Sequence, residues 1–131
     1  MTMKKYDLAL IGLGVMGQSL ARNFANHKIH TLVFNRTTTK AEAFIKTYGN
    51  SYLDYRIDFG SLLNDLKSPR IIVFMVQAGP AVDEMAEQLR PYLRPNDILI
   101  DAGNSYYKDT QRRARVWKEQ GIHWVGMGVS G

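Results

Sequence analysis

Apolar and polar positions along the chain follow two alternating periods. Short, nearly continuous apolar runs cover about Tyr6 to Ile11, Thr31 to Phe34, Arg70 to Val76, Asp97 to Asp101 and His123 to Met127. Runs of this length and continuity predict strands buried on both faces, and the amphipathic stretches between them predict crossover helices. The first helix is expected over about Met16 to Asn26, with Met16, Leu20 and Phe24 facing the sheet, Ala21 and Ala25 beside them, and His27-Lys28 ending it. A second helix starts at Thr39, turns Ala41, Phe44 and Ile45 inward, and ends at Gly49, a residue suited to a left-handed terminus. Asn50 to Arg56 predicts a short third strand and Ser61 to Leu66 a brief amphipathic helix, with no chemistry singled out in either. Pro80 suits the first turn of a helix whose inward stripe is Val82, Met85, Ala86 and Leu89. Pro91 and Pro95 bracket the following turn, and a last helix spans about Tyr106 to Gln120 before Gly121 stops it.

The first strand runs directly into Gly12-x-Gly14-x-x-Gly17. Glycines at this spacing between a strand and a helix allow a tight turn, close approach of a pyrophosphate to the backbone, and close helix–strand packing. The diphosphate then meets the helix N-terminus, where amide N–H groups lack intrahelical partners and the dipole favours negative charge. The predicted fold class is therefore α/β: a Rossmann-type doubly wound, mostly parallel sheet with helices on both faces. At the end of the second strand stand Asn35, Arg36 and Thr37, with no carboxylate to hold a ribose 2′-hydroxyl. A guanidinium there suits a 2′-phosphate, with Asn35 and Thr37 adding neutral hydrogen bonds, so NADP is the expected cofactor. Gln77, Ala78 and Gly79 follow the central strand and are expected beside the cofactor, because loops at carboxyl ends of such strands form the ligand crevice. After the next strand, Asn104 or Ser105 suits a helix cap, which alone accounts for either residue. The functional alternative is an Asn104 amide turned into the crevice.

Composition bounds this reading without redirecting it. The 131 residues are the size of one domain, and 45% apolar with 22% charged content is ordinary for a folded chain. No apolar stretch approaches the roughly 20 residues of a membrane span, and Met1 to Tyr6 lacks a signal-peptide core, so a cytosolic protein without membrane contact is expected. The absence of cysteine excludes disulfides, thiolate nucleophiles and cysteine-ligated zinc, and no metal is expected. The net charge of +5 concentrates at Lys108, Arg112, Arg113, Arg115 and Lys118, around Trp117. A solvated helix face is preferred over nucleic-acid contact, since no RNA- or DNA-binding motif accompanies the charge; mild attraction of anionic ligands is a third reading. The glycine-rich ending, Gly128 to Gly131, looks like a ligand loop and predicts that the chain is a piece of something longer.

Several stretches together resemble the N-terminal cofactor domain of the 6-phosphogluconate dehydrogenase family, over nearly the whole chain. They are Gly12, Leu13, Gly14, Val15, Met16 and Gly17; Asn35 to Thr37; Val76 to Gly79 with Val82 and Asp83; Asp101 to Ser105; Asp109 to Arg113; and Gly126 to Gly131. The resemblance implies oxidation of 6-phosphogluconate at C3 by NADP and decarboxylation to ribulose 5-phosphate, a step of the pentose phosphate pathway. It implies cofactor contacts at residues 12–17, at Asn35, Arg36 and Thr37, at Val76, Gln77, Ala78 and Gly79, and at Asn104. Arg36 and Thr37 would hold the 2′-phosphate. Asn104 would also meet substrate, and Ser130 and Gly131 would begin a substrate loop. The family's proton-transfer lysine and glutamate lie beyond residue 131, so no catalytic residue is expected here, and Lys108 and Lys118 are not candidates. An all-helical remainder would form the homodimer of the parent, leaving this piece monomeric with an exposed apolar docking face. Two departures stand out: Gln77 replaces a frequent Lys, and Ala102 a common Gly. The alternatives are the cofactor domain of a related β-hydroxyacid dehydrogenase and a standalone nucleotide-sensing or nucleic-acid-binding module.

Overall fold

The computed structural model describes residues 5–128. Strands β1 (Leu8–Ile11), β2 (Thr31–Phe34), β3 (Leu53–Tyr55), β4 (Ile71–Phe74), β5 (Ile98–Asp101) and β6 (His123–Gly126) alternate with helices. The helices are α1 (Val15–Asn26), α2 (Thr38–Tyr48), α3 (Phe59–Asn64), α4 (Pro80–Leu89) and α5 (Tyr107–Lys118), with a 3-10 turn over Arg90–Tyr92. The strand order is β3-β2-β1-β4-β5-β6, and every pairing is parallel. This is the doubly wound order, which reverses direction between β1 and β4.

Register turns that topology into a site. Ile11 pairs with both Phe34 and Phe74, Phe74 with Asp101, and Asp101 with Gly126, so five strands end in one row. The loops that follow therefore open on a single edge of the sheet. Alternation along β1 divides the core: Ala9 and Ile11 join the apolar cluster containing Leu62, Val82, Leu89, Trp117 and Trp124. Leu10 faces the opposite cluster with Ala21, Ala25, Ala41 and Phe44, while Leu8 packs with Val73 and Ala102. Helices α1 and α2 thus cover one face, and α3, α4 and α5 the other.

One local expectation is corrected and two are refined. The buried residues of α1 are Gly17, Ala21 and Ala25, while Leu20 and Phe24 pack against the core as expected but, like Met16, stay half-buried. Small side chains let the helix lie close to its strand, and the larger ones fill its flanks. Gly49 is extended, with φ −63° and ψ 145°, so it is not a left-handed terminus. Its constraint is crowding, since a Cβ there would lie 2.5 Å from the Ile45 carbonyl oxygen. The true left-handed stops are Lys28 at φ 61° after α1 and Gly121 at φ 77° after α5. In the segment that the sequence left without chemistry, the Asp58 carboxylate accepts from the Ser61 N–H at 2.7 Å and caps α3.

Arg70, read as the start of an apolar run, is a buried cation just before β4. Its guanidinium donates to Asp97 at 2.7 Å, to the Leu63 carbonyl at 3.2 Å and to the Tyr92 carbonyl at 2.6 Å. Asp97, immediately before β5, is equally buried and also accepts from the Arg94 N–H. The pair ties the entrances of β4 and β5 to α3 and the 3-10 turn. Removing one member strands the other charge in the interior, so Arg70→Leu is expected to destabilise the fold by about 3–5 kcal/mol in urea unfolding. A loss below about 1 kcal/mol would mean that the pair behaves like an exposed one.

Candidate cofactor site

The glycine turn joins β1 to α1 through contacts that exclude side chains. A Cβ on Gly12, whose φ is 106°, would sit 2.2 Å from the Met75 carbonyl oxygen, and one on Gly17 would sit 1.9 Å from the Gly12 carbonyl oxygen. Gly14 differs: its φ is −67° and nothing lies within 4 Å of its missing Cβ. The space over Gly14 opens at the N-terminus of α1, which has no acidic residue in its first turn and no side-chain cap. Unpartnered amides, a positive dipole end and an open approach suit a diphosphate, with no competing carboxylate in the first turn of α1.

The neighbouring stretches have divided roles. Leu13 is fully buried, and its N–H donates to Asn35 Oδ1 at 2.9 Å. Asn35 Nδ2 in turn donates to the Thr37 carbonyl at 3.2 Å, while Gln18 Nε2 donates to the Leu13 carbonyl at 2.9 Å. Asn35, expected to meet the cofactor phosphate, also fastens the loop after β2 to the glycine turn while lining the crevice beside it. Val15 and Arg36 are exposed, and Thr37 is the exposed N-cap residue of α2 without a side-chain cap bond. Gly12, Asn35, Arg36 and Val76 line one crevice of about 160 Å³ with Glu84 and Met85 of α4. Gln77 and Ala78 project into solvent from the loop after β4, which closes at Gly79 with φ 101°.

A second, open cleft of about 420 Å³ lies over the ends of β5 and β6, lined by Asp101, Asn104, Ser105, Thr110, Gly126 and Gly128. Neither Asn104 nor Ser105 caps α5, because the N-cap is Tyr106. Asn104 takes a left-handed φ of 58°, and the Ser105 hydroxyl donates to the Asp101 carboxylate. Capping therefore accounts for neither residue. Ser130 and Gly131 lie outside the described residues.

The expected solvated face of α5 is corrected at one position. Lys108, Arg112, Arg115 and Lys118 are exposed, whereas Arg113 is only 1% exposed and Trp117 is buried. Arg113 donates to Asp83 at 2.8 and 3.0 Å, to the Gly79 carbonyl at 3.1 Å and to the Ser105 hydroxyl at 3.3 Å, with Asp101 at 3.7 Å. The hydrogen bond from Arg113 holds the Asp83 carboxyl below its ordinary value, and the same bond raises Arg113 further. The sequence carried one usable signal: Arg113 and Trp117 are four apart and share the inward face of the helix.

The family model described as the NAD binding domain of 6-phosphogluconate dehydrogenase matches residues 7–131. The chain belongs to that family. It is 47% identical over 126 residues to a decarboxylating 6-phosphogluconate dehydrogenase of Chlamydia muridarum, covering 95% of this chain and 26% of the relative. The NADP(+)-dependent, decarboxylating 6-phosphogluconate dehydrogenase of Bacillus subtilis is 42% identical over 129 residues, covering 98% of this chain and 28% of the relative. Among solved structures, Plasmodium falciparum 6-phosphogluconate dehydrogenase, described in apo form and in complex with NADP+ and with 6-phosphogluconate, superposes with a TM-score of 0.88 at 37% identity. That match covers 95% of this chain and 27% of the other. The chain thus spans about a quarter of the length of these 6-phosphogluconate dehydrogenases. A 3-hydroxyisobutyrate dehydrogenase of Mycobacterium tuberculosis, 18% identical with a TM-score of 0.80 over 97% of this chain and 41% of that one, shares the fold.

Two outcomes follow from the geometry. Gly17→Ala is expected to lose about 1–3 kcal/mol through overpacking, whereas Gly14→Ala should stay within about 0.5 kcal/mol of the parent in thermal unfolding. Equal losses would contradict the separation of roles. Because the folded Asp83 carboxyl is depressed, its contribution is present above the unfolded value and is lost as pH falls through the folded one. The stability gap between the parent and Asp83→Asn should accordingly be full near neutral pH and close on acidification below about pH 4.

Proposed function

We propose that the chain is the NADP-binding domain of a decarboxylating 6-phosphogluconate dehydrogenase, the whole protein converting 6-phosphogluconate to ribulose 5-phosphate with formation of NADPH. The observation that carries the cofactor reading is the end of β2. It presents an exposed Arg36 between Asn35 and Thr37, with no acidic residue among them, at a crevice shared with Gly12. The relative from Bacillus subtilis is named as NADP(+)-dependent, and the Plasmodium falciparum structure is described with NADP+, in keeping with that reading.

The residues present fit the cofactor. The open face of Gly14 and the first turn of α1, with Val15 and Met16, take the diphosphate; Arg36 and Thr37 take the 2′-phosphate; Val76 to Gly79 flank the dinucleotide. Asn104 stands at the second cleft, where the reacting part of the cofactor meets substrate, and Ser130 and Gly131, outside the described residues, are assigned to substrate binding by the family resemblance alone. When bound, NADP supplies the hydride acceptor, and this domain supplies binding and orientation. Proton transfer falls to a lysine and a glutamate outside these residues. The remaining elements of the proposal are a cytoplasmic setting within the pentose phosphate pathway and a homodimeric parent protein in which this domain by itself is monomeric. The nucleic-acid reading loses support, because Arg113 is withdrawn from the basic face of α5.

Calorimetric titration with NADP and NAD tests the reading. Charge-assisted bonds to the 2′-phosphate are expected to favour NADP by roughly ten- to a hundredfold, and Arg36→Ala should abolish most of that preference. Equal affinity for both cofactors in the parent chain would overturn the assignment of Arg36. Turnover of NADP and 6-phosphogluconate by this chain alone, at a rate comparable to a complete dehydrogenase, would overturn the location of the proton-transfer groups.

A further inference from the structure

Arg113 is the charged residue whose position the cofactor reading leaves unexplained. It sits in the middle of α5, is 1% exposed, and reaches two separate loops of the ligand edge. Toward the loop after β4 it donates to the Gly79 carbonyl and to both oxygens of Asp83, in the first turn of α4. Toward the loop after β5 it donates to the Ser105 hydroxyl and stands 3.7 Å from Asp101. Asp101 is itself 1% exposed, and its carboxylate already accepts from the Gly103 N–H and the Ser105 hydroxyl. The loop after β5 is further pressed against the loop after β4, since a Cβ on Gly103 would lie 2.4 Å from the Val76 carbonyl oxygen. Each loop holds a left-handed residue, Gly79 at φ 101° and Asn104 at φ 58°. Such backbone needs surrounding contacts to fix it.

The sheet order gives these loops a direction. A dinucleotide lies across the reversal between β1 and β4. Arg36 at the end of β2 marks the adenosine side, so the nicotinamide half extends over β4 and β5. We propose that Arg113 is a positioning residue for that half: its planar fork locks residues 77–79 and 103–105 into one arrangement before the cofactor arrives. The inference rests on the cofactor reading above. A lysine cannot replace it, because one ammonium lacks the fork that spans Asp83, Gly79 and Ser105 together. Prior ordering of this kind lowers the entropic cost of binding.

Backbone amide NMR of the chain, titrated with NADP and separately with adenosine 2′,5′-bisphosphate, tests the proposal. In the parent chain both ligands should shift amides of residues 12–17 and Arg36, and only NADP should shift those of 77–79 and 103–105. In Arg113→Lys the first set of shifts should remain and the second should be lost. Second-set shifts that survive in the variant, or that NADP does not cause in the parent chain, would overturn the positioning role. No response of the first set to either ligand would instead overturn the cofactor reading. Should Arg113→Lys fail to fold, Arg113→Gln, which removes the fork that reaches both loops, carries the same comparison: loss of the second set supports the proposal and retention overturns it.

Discussion

The close backbone contact at Gly12 is the constraint on which the rest of the molecule depends. Its carbonyl neighbours the position of a Gly17 Cβ, and its own missing Cβ would lie against the Met75 carbonyl. Three chain segments meet there without a side chain between them: the end of β1, the first turn of α1, and the exit of β4. This contact brings α1 close enough for Gly17, Ala21 and Ala25 to form its buried stripe. It also aims the N-terminus of α1 along the edge where the strand ends are in register. A parallel sheet gathers loops on one edge by topology alone, and this contact seats the N-terminus of α1 on that edge.

Two buried arginines complete the arrangement at opposite ends of the same strands. Arg70 pairs with Asp97 where β4 and β5 begin, and Arg113 bridges Asp83, Ser105 and Asp101 beyond where they finish. Both use a planar fork to satisfy backbone carbonyls as well as carboxylates, which keeps their burial from leaving polar groups unpaired. The first serves the fold. The second stands at the edge where the strand-end loops gather, with Asp83 partly open to solvent.

Most of the architecture was legible because its signals are local. Continuous apolar runs marked the strands buried on both faces, and the glycine spacing marked the turn. Gly121, an achiral residue after a periodic stretch, marked a helix stop that the structure places at φ 77°. What stayed hidden needed contacts distant in sequence. Arg70 looked like the border of an apolar strand because its partner lies 27 positions away, and Arg113 like one more surface charge because Asp83 lies 30 positions away. The tie from Asn35 to the glycine turn was hidden as well, since its bond to the Leu13 N–H crosses 22 positions. Asn104 and Ser105 suited a cap by composition, yet the chain delays α5 until Tyr107 so that Ser105 can reach Asp101.

The open space over Gly14 bears on how such sequences drift. Gly12 and Gly17 are held by the packing of the protein against itself, so purifying selection on them acts wherever the fold is needed. Gly14 has no such packing, since nothing lies within 4 Å of its missing Cβ, and under the proposed cofactor reading only the ligand constrains it. A descendant that kept the architecture but abandoned the dinucleotide would retain the outer two glycines and be free to vary at the middle one. The middle position is thus the informative one when a lineage with this turn is suspected of having lost its ligand.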